Sequence, residues 1–127
     1  MIYIMINLVP IVIATIAGLA IGGLSLRLGG RSASPALGLV AVLAEFWLAS
    51  ILAGALILAP DKASPWVMAV ASAVVIWIGF VLPVLAVTGL ARGQAPRSVM
   101  GDALHWLAVM VAQAVVLKLI GLVPPPA

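Results

Sequence analysis

Three acids and one histidine carry most of the chemistry open to this 127-residue chain. Glu45 lies near the centre of an apolar stretch, 36–59, long enough to cross a bilayer as a helix, which takes about 20 residues. A charge at that depth costs at least about 2.5–3.5 kcal/mol on insertion scales. Glu45 therefore needs a polar partner, water or a proton. Asp102 and His105 lie near the start of the last apolar stretch. At 100° per residue, Asp102, His105, Val109 and Gln113 fall on one stripe, with Trp106 at its edge. Polar groups avoid lipid tails, so the stripe is expected to face the bundle interior, with Lys118 on the opposite side.

His105 sits about seven residues, or roughly 10 Å, from one end of its span, and Glu45 about ten residues, or roughly 15 Å, from the same membrane face. Those depths allow a Glu45–His105 hydrogen bond if the second and fourth spans touch. Asn7 and Gln113 lie nearer the other face and could form a second polar contact. Acid–imidazole pairs inside membranes suit proton transfer, with Glu45 as carrier and His105 and Asp102 as relay. The structural alternative is interhelical glue, in which Glu45 fixes helix register.

The elements that must position these groups follow from composition. Hydrophobic residues make up 66% of the chain and charged residues only 7%. Mean hydropathy is +1.39. Soluble domains carry about 25% charged residues, so nine charges cannot build a water-facing surface. The chain reads as a single all-α integral membrane domain, an antiparallel up-down bundle of four transmembrane helices over about 2–26, 36–59, 66–90 and 98–121. The net charge of +3 comes from scattered loop residues, not a basic face, and excludes a nucleic-acid partner. With no cysteine, disulfides and thiolate metal sites are excluded. The first apolar run lacks a basic start and is too long for a cleaved signal.

Within the first span, Gly18 and Gly22 form a GxxxG pattern followed by Gly23. Such glycines let helix backbones approach closely, and the expected use is a packing face inside the bundle. Pro10 falls in early turns, where its missing N–H matters little. Pro83 should kink the third span, with Thr88 or a neighbouring helix satisfying the freed carbonyl. Ser98 is the expected cap of the fourth. The tail from Val123 reads as extended. Arg27, Arg31, Arg92 and Arg97 mark loops one and three, against Lys62 and Lys118 opposite. The positive-inside rule then puts those loops in the cytoplasm and both termini in the periplasm of a bacterial inner membrane. Trp66 fits an interfacial anchor, and Lys118 is placed to snorkel.

Several family patterns bear on function. Gly101-Asp-Ala-Leu-His105 resembles the Gly/Ala-x-x-x-His sites of bacteriochlorophyll-binding helices, which makes His105 a possible tetrapyrrole ligand and a tetrapyrrole the one cofactor to weigh. A haem with two histidine ligands from one chain is excluded by the single His. Small multidrug exporters carry their membrane acid in the first helix, not the second. Fluoride channels carry a phenylalanine- and threonine-rich third-helix signature that is missing here. Asn7, Ile21-Gly22-Gly23, Trp77-Ile-Gly-Phe80-Val-Leu-Pro83, Gly93-Gln-Ala-Pro96-Arg97 and Asp102-Ala-Leu-His105 together resemble the DUF1761 family of small four-helix bacterial membrane proteins. This chain has Leu24-Ser-Leu-Arg27 where that family usually has aromatics. The resemblance implies a four-helix membrane protein and carries over no catalytic residue.

No nucleophile, base and orienter fall within plausible reach of one another, so enzyme activity is not expected. The leading expectation is a non-catalytic interaction or accessory subunit of a larger membrane complex, or a homo-oligomer. Its partners would be the bilayer and other membrane chains or copies of itself. The alternative is a small proton-coupled transporter or channel built on Glu45, with tetrapyrrole binding through His105 as a third reading.

Overall fold

The computed structural model describes residues 1–126. Among them every regular element is helical: α1 (Ile2–Ile6), α2 (Leu8–Leu28), α3 (Pro35–Leu58), α4 (Pro65–Ile76), a π-helical turn (Trp77–Val81), α5 (Leu82–Ala91) and α6 (Pro96–Ile120). Four stretches are long and apolar enough to cross a membrane: Leu8–Leu28, Pro35–Leu58, Pro65–Ala91 and Pro96–Ile120. Prolines open α3, α4 and α6, where the ring replaces an N–H that has no intrahelical acceptor. Ser34 and Ser64 cap α3 and α4 by accepting from the N–H groups of Leu37 and Val67. In α6 the expected cap is corrected. Pro96 starts that helix after Ala95, so Ser98 lies inside its first turn.

The first span is not the continuous helix expected over 2–26. It breaks at Asn7, whose backbone leaves the helical region (φ −105°, ψ 25°), and restarts at Leu8. Pro10 explains the break. Its nitrogen cannot donate to Ile6 four residues earlier, and its ring would clash with that carbonyl. The third span departs from a simple proline kink. The five-residue π turn, closed by the Leu82 N–H on the Trp77 carbonyl, widens the helix just ahead of Pro83. Thr88 is exposed and its side chain takes no part. The Trp77 indole N–H reaches across instead, donating to the Ala103 carbonyl at 2.7 Å.

Helix α6 touches every other span, while α2 and the third span lie on opposite sides of it and do not meet. Helix α3 packs against α2, α6 and α4 but not α5. Small residues make the centre tight. Ala14, Ala49, Ala53, Ala73 and Ala114 are fully buried among Ile11, Leu52, Met110 and Leu117. Near Asn7, Tyr3 donates to the Ser50 carbonyl at 3.1 Å across a gap left by Gly54, where a Cβ would press on the tyrosine oxygen. After Gly121, at φ +92°, the chain leaves α6 and turns back toward Asn7.

Candidate functional site in the first, second and fourth spans

Helix α2 presents Ile11, Thr15, Gly18, Gly22 and Ser25 along one side, at spacings of three and four residues. This side meets α3 and α6, and the two glycines remove side chains from its middle. Glu45 of α3 fills the space. It is 3% exposed. Its Oε2 atom and Gln113 Nε2 sit against Gly18 so closely that a Cβ there would clash with both. Its Oε1 atom lies 3.7 Å from where a Gly22 Cβ would be. The GxxxG side thus faces α3 and α6 inside the bundle, and its missing side chains leave a notch that holds a carboxyl group. Gly23, expected to pack with them, is exposed and has open space where its side chain would be.

Electrostatically this is an unusual place for an acid. Every Lys and Arg lies in a loop or in the last or first turn of a span, so none reaches the level of Glu45. Oε2 has no hydrogen-bond partner. Gln113, fully buried on α6, directs its Nε2 toward the Glu45 backbone carbonyl at a long 3.4 Å, and its own Oε1 is unpartnered. A buried polar atom left without a partner costs about 1–3 kcal/mol. Glu45 Oε2 and Gln113 Oε1 are thus both enclosed without a hydrogen bond. Thr15 does not help, because its hydroxyl donates back to the Ile11 carbonyl at 2.8 Å.

The expected Glu45–His105 pair does not form. Glu45 lies level with Gln113, and His105 is eight residues away along α6, roughly 12 Å by helical rise. Counting depth from the span ends assumed that spans two and four begin at one height, which their packing does not respect. His105 is half-buried and shares a hydrogen bond of 3.0 Å between its Nδ1 and Ser25 Oγ, with Trp106 edge-on at 5.5 Å between ring centroids. Asp102 is corrected as well. It is exposed, in the second turn of α6, and accepts from Gln94 Nε2 at 3.4 Å. The inward stripe therefore holds for Val109 and Gln113 and fades where α6 reaches the bundle end.

Asn7 also pairs differently from expectation. Instead of meeting Gln113, its side chain forms a two-way amide bridge with the Val123 backbone, accepting from the N–H at 2.7 Å and donating to the carbonyl at 2.8 Å. Its Nδ2 also reaches the Tyr3 carbonyl at 2.9 Å. Asn7 is 1% exposed, so this bridge ties the C-terminal tail over one end of the bundle. At that end Lys118 Nζ sits 5.5 Å from the Trp66 ring centroid, close enough for a cation–π contact.

Sequence reasoning missed Ser25, although its spacing from Gly18 and Gly22 places it on the same helix face. It also missed a cleft of about 700 Å³ between the second and third spans, lined by Trp47, Phe80, Val84 and Trp106 among others. Trp47 is 52% and Phe80 73% exposed. Pro83 and the π turn shape the third span where it parts from α3. His105 lines neither this cleft nor the pocket of about 430 Å³ near Asp61 and Lys118. Among the described residues, no group of three or more His, Asp or Glu side chains is placed to hold a metal ion.

Four apolar helices around a buried acid define a multi-pass integral membrane protein. No family model, curated protein or solved structure matches the chain.

Proposed function

We propose that this protein binds and exchanges a proton at Glu45 and works as a small proton-coupled carrier or channel. The observation that carries the reading is the buried Oε2 of Glu45, which has no hydrogen-bond partner on a side chain only 3% exposed. As structural glue this carboxyl is poor, because it makes no side-chain hydrogen bond. An intramembrane acid without a counter-charge points to proton or ion handling. With a proton on its carboxyl, Glu45 can donate a hydrogen bond and no longer carries a charge into the bilayer. The only other titratable side chain along this part of the α2–α6 contact is His105, held by Ser25. In proteoliposomes, Glu45→Gln is expected to abolish a pH-gradient-driven flux while leaving the detergent-purified protein folded. Equal flux in both proteins, or none in the unmutated one, removes the reading.

A second reading is an interaction or accessory subunit, or a homo-oligomer, without catalytic activity. It is favoured by the exposed aromatic cleft. Trp47 lies in the middle of α3 and is 52% exposed there, whereas tryptophan ordinarily gathers at membrane interfaces. A strictly monomeric particle in mild detergent, with nothing co-purifying, counts against it. Tetrapyrrole ligation through His105 is the third reading; it would use Nε2, since Nδ1 is engaged with Ser25. Membership of the DUF1761 family rests on the motifs quoted above. A bacterial inner-membrane location with periplasmic termini rests on the four loop arginines.

A further inference from the structure

We propose that Glu45 communicates with one membrane face only, that of the first and third loops, through the notch over Gly22 and past the Ser25–His105 pair. The inference rests on the reading of Glu45 as a proton site and adds the route by which the proton arrives. The two carboxyl oxygens differ. Oε2 is enclosed against Gly18 and Gln113, whereas Oε1 faces Gly22 across ordinary contact distance. Beyond Gly22 the packing loosens. Gly22 is half-buried, Gly23 has open space where its Cβ would be, Ser25 is exposed and His105 is half-buried.

In the opposite direction the α2–α3–α6 contact is tightly packed. Ile11, Ala14, Leu52, Met110, Ala114 and Leu117 are all fully buried, and the Asn7–Val123 bridge covers the end. Water enters a cavity only where there is room and two to four polar partners. Toward the loops the polar groups after Oε1 are Ser25 and His105 at the exposed end, whereas on the other side Thr15, Ser50 and Gln113 are enclosed among packed apolar side chains, with both hydroxyls donating to their own helices. The charged and titratable groups of the three helices fit the same asymmetry. Helix α2 has only Arg27, in its last turn, and α3 has none but Glu45. Helix α6 adds Arg97, Asp102 and His105 at the open end and Lys118 at the other.

The chain contains three acids, and this makes a direct test possible. Asp61 is exposed in the second loop and Asp102 is exposed near the third. A permanently charged, membrane-impermeant carbodiimide with a glycine-ester amine is applied to one face of sealed vesicles at a time. Peptide mass mapping then identifies the modified carboxyls, with Asp61 and Asp102 reporting which face was treated. Glu45 is expected to be modified together with Asp102 and not with Asp61. Gly22→Leu is expected to lower Glu45 modification by about tenfold or more, because its side chain fills the space beside Oε1, with Asp102 unchanged. If Gly22→Leu does not fold, Glu45→Cys in this cysteine-free chain, treated with a charged thiol reagent from each face, decides the point. Modification together with Asp61, modification from both faces, or modification from neither overturns the proposal. One-sided modification combined with unaltered flux in Glu45→Gln would keep the route and remove the carrier. Modification from both faces with flux lost in Glu45→Gln would do the reverse.

Discussion

Helix α3 borders two regions that solve the problem of packing in lipid in opposite ways. Toward α2 and α6 it is closed. Alanines and glycines bring the backbones together, and the one ionisable group on its inner side fits the gap left by Gly18 and Gly22. Toward the third span it is open, with Trp47 and Phe80 exposed over a cleft of about 700 Å³. The difference arises from residue size and backbone geometry, not hydrophobicity. Both regions are strongly apolar. Small side chains permit dispersion contacts along a whole helix face, whereas bulky aromatics beside a π turn hold two spans apart. A polar site survives only in the closed region, because only there is the acid shielded from acyl chains.

The largest break in this contrast is expected from Gly18. Gly18→Ala drives a methyl group into Glu45 Oε2 and Gln113 Nε2, and overpacking of this kind costs about 1–3 kcal/mol. Gly22→Ala meets Oε1 at ordinary contact distance and, with alanine favoured over glycine in helices by about 1 kcal/mol, should be neutral or stabilising. Thermal unfolding in detergent separates the two. Combining Gly18→Ala with Glu45→Ala should recover part of the loss, and strict additivity would show that the notch and the acid are not coupled.

A smaller effect is expected at the strapped end. Asn7→Ala removes both bonds to Val123, which is itself exposed enough for water to replace them, so the cost should be about 0.5–1.5 kcal/mol. Hydrogen exchange at the Val123 amide should quicken while exchange in α6 stays slow. Unchanged exchange at Val123 would mean that the tail is held by something other than Asn7.

Much of this architecture is legible from the residues. Hydropathy and loop prolines delimit the four spans to within a few residues, and the depth of Glu45 makes its burial expected. The partners are not legible, for identifiable reasons. Pairing Glu45 with His105 requires the relative height of two helices, which depends on how Gly18 and Gln113 interlock. The break at Asn7 follows from Pro10 once the Ile6 carbonyl is considered, yet early-turn prolines usually leave a helix intact. The π turn before Pro83 defeats any projection at 100° per residue, so the outward turn of Phe80 is invisible to periodicity. The glycine pattern was visible, but its spacing is the same whether it admits a backbone or a carboxyl group.

The smallest expected effect sharpens the open side. Acyl chains brominated near the bilayer centre should quench Trp47 emission and leave Trp77, half-buried and bonded to Ala103, much less affected. Three-tryptophan deletion variants that each retain one residue resolve the contributions. Equal quenching of Trp47 and Trp77 would mean that the cleft is filled or that the third span packs more closely than described.

The central claim is that Glu45 holds an exchangeable proton inside the membrane, and infrared difference spectroscopy of the reconstituted protein reads that group directly. As the bulk pH is stepped, the unmutated protein should show a protonated-carboxyl stretch characteristic of a water-poor site, shifted in deuterium oxide and missing in Glu45→Gln. A spectrum in which the only titrating carboxyls are the exposed Asp61 and Asp102, unchanged by Glu45→Gln, would contradict the account.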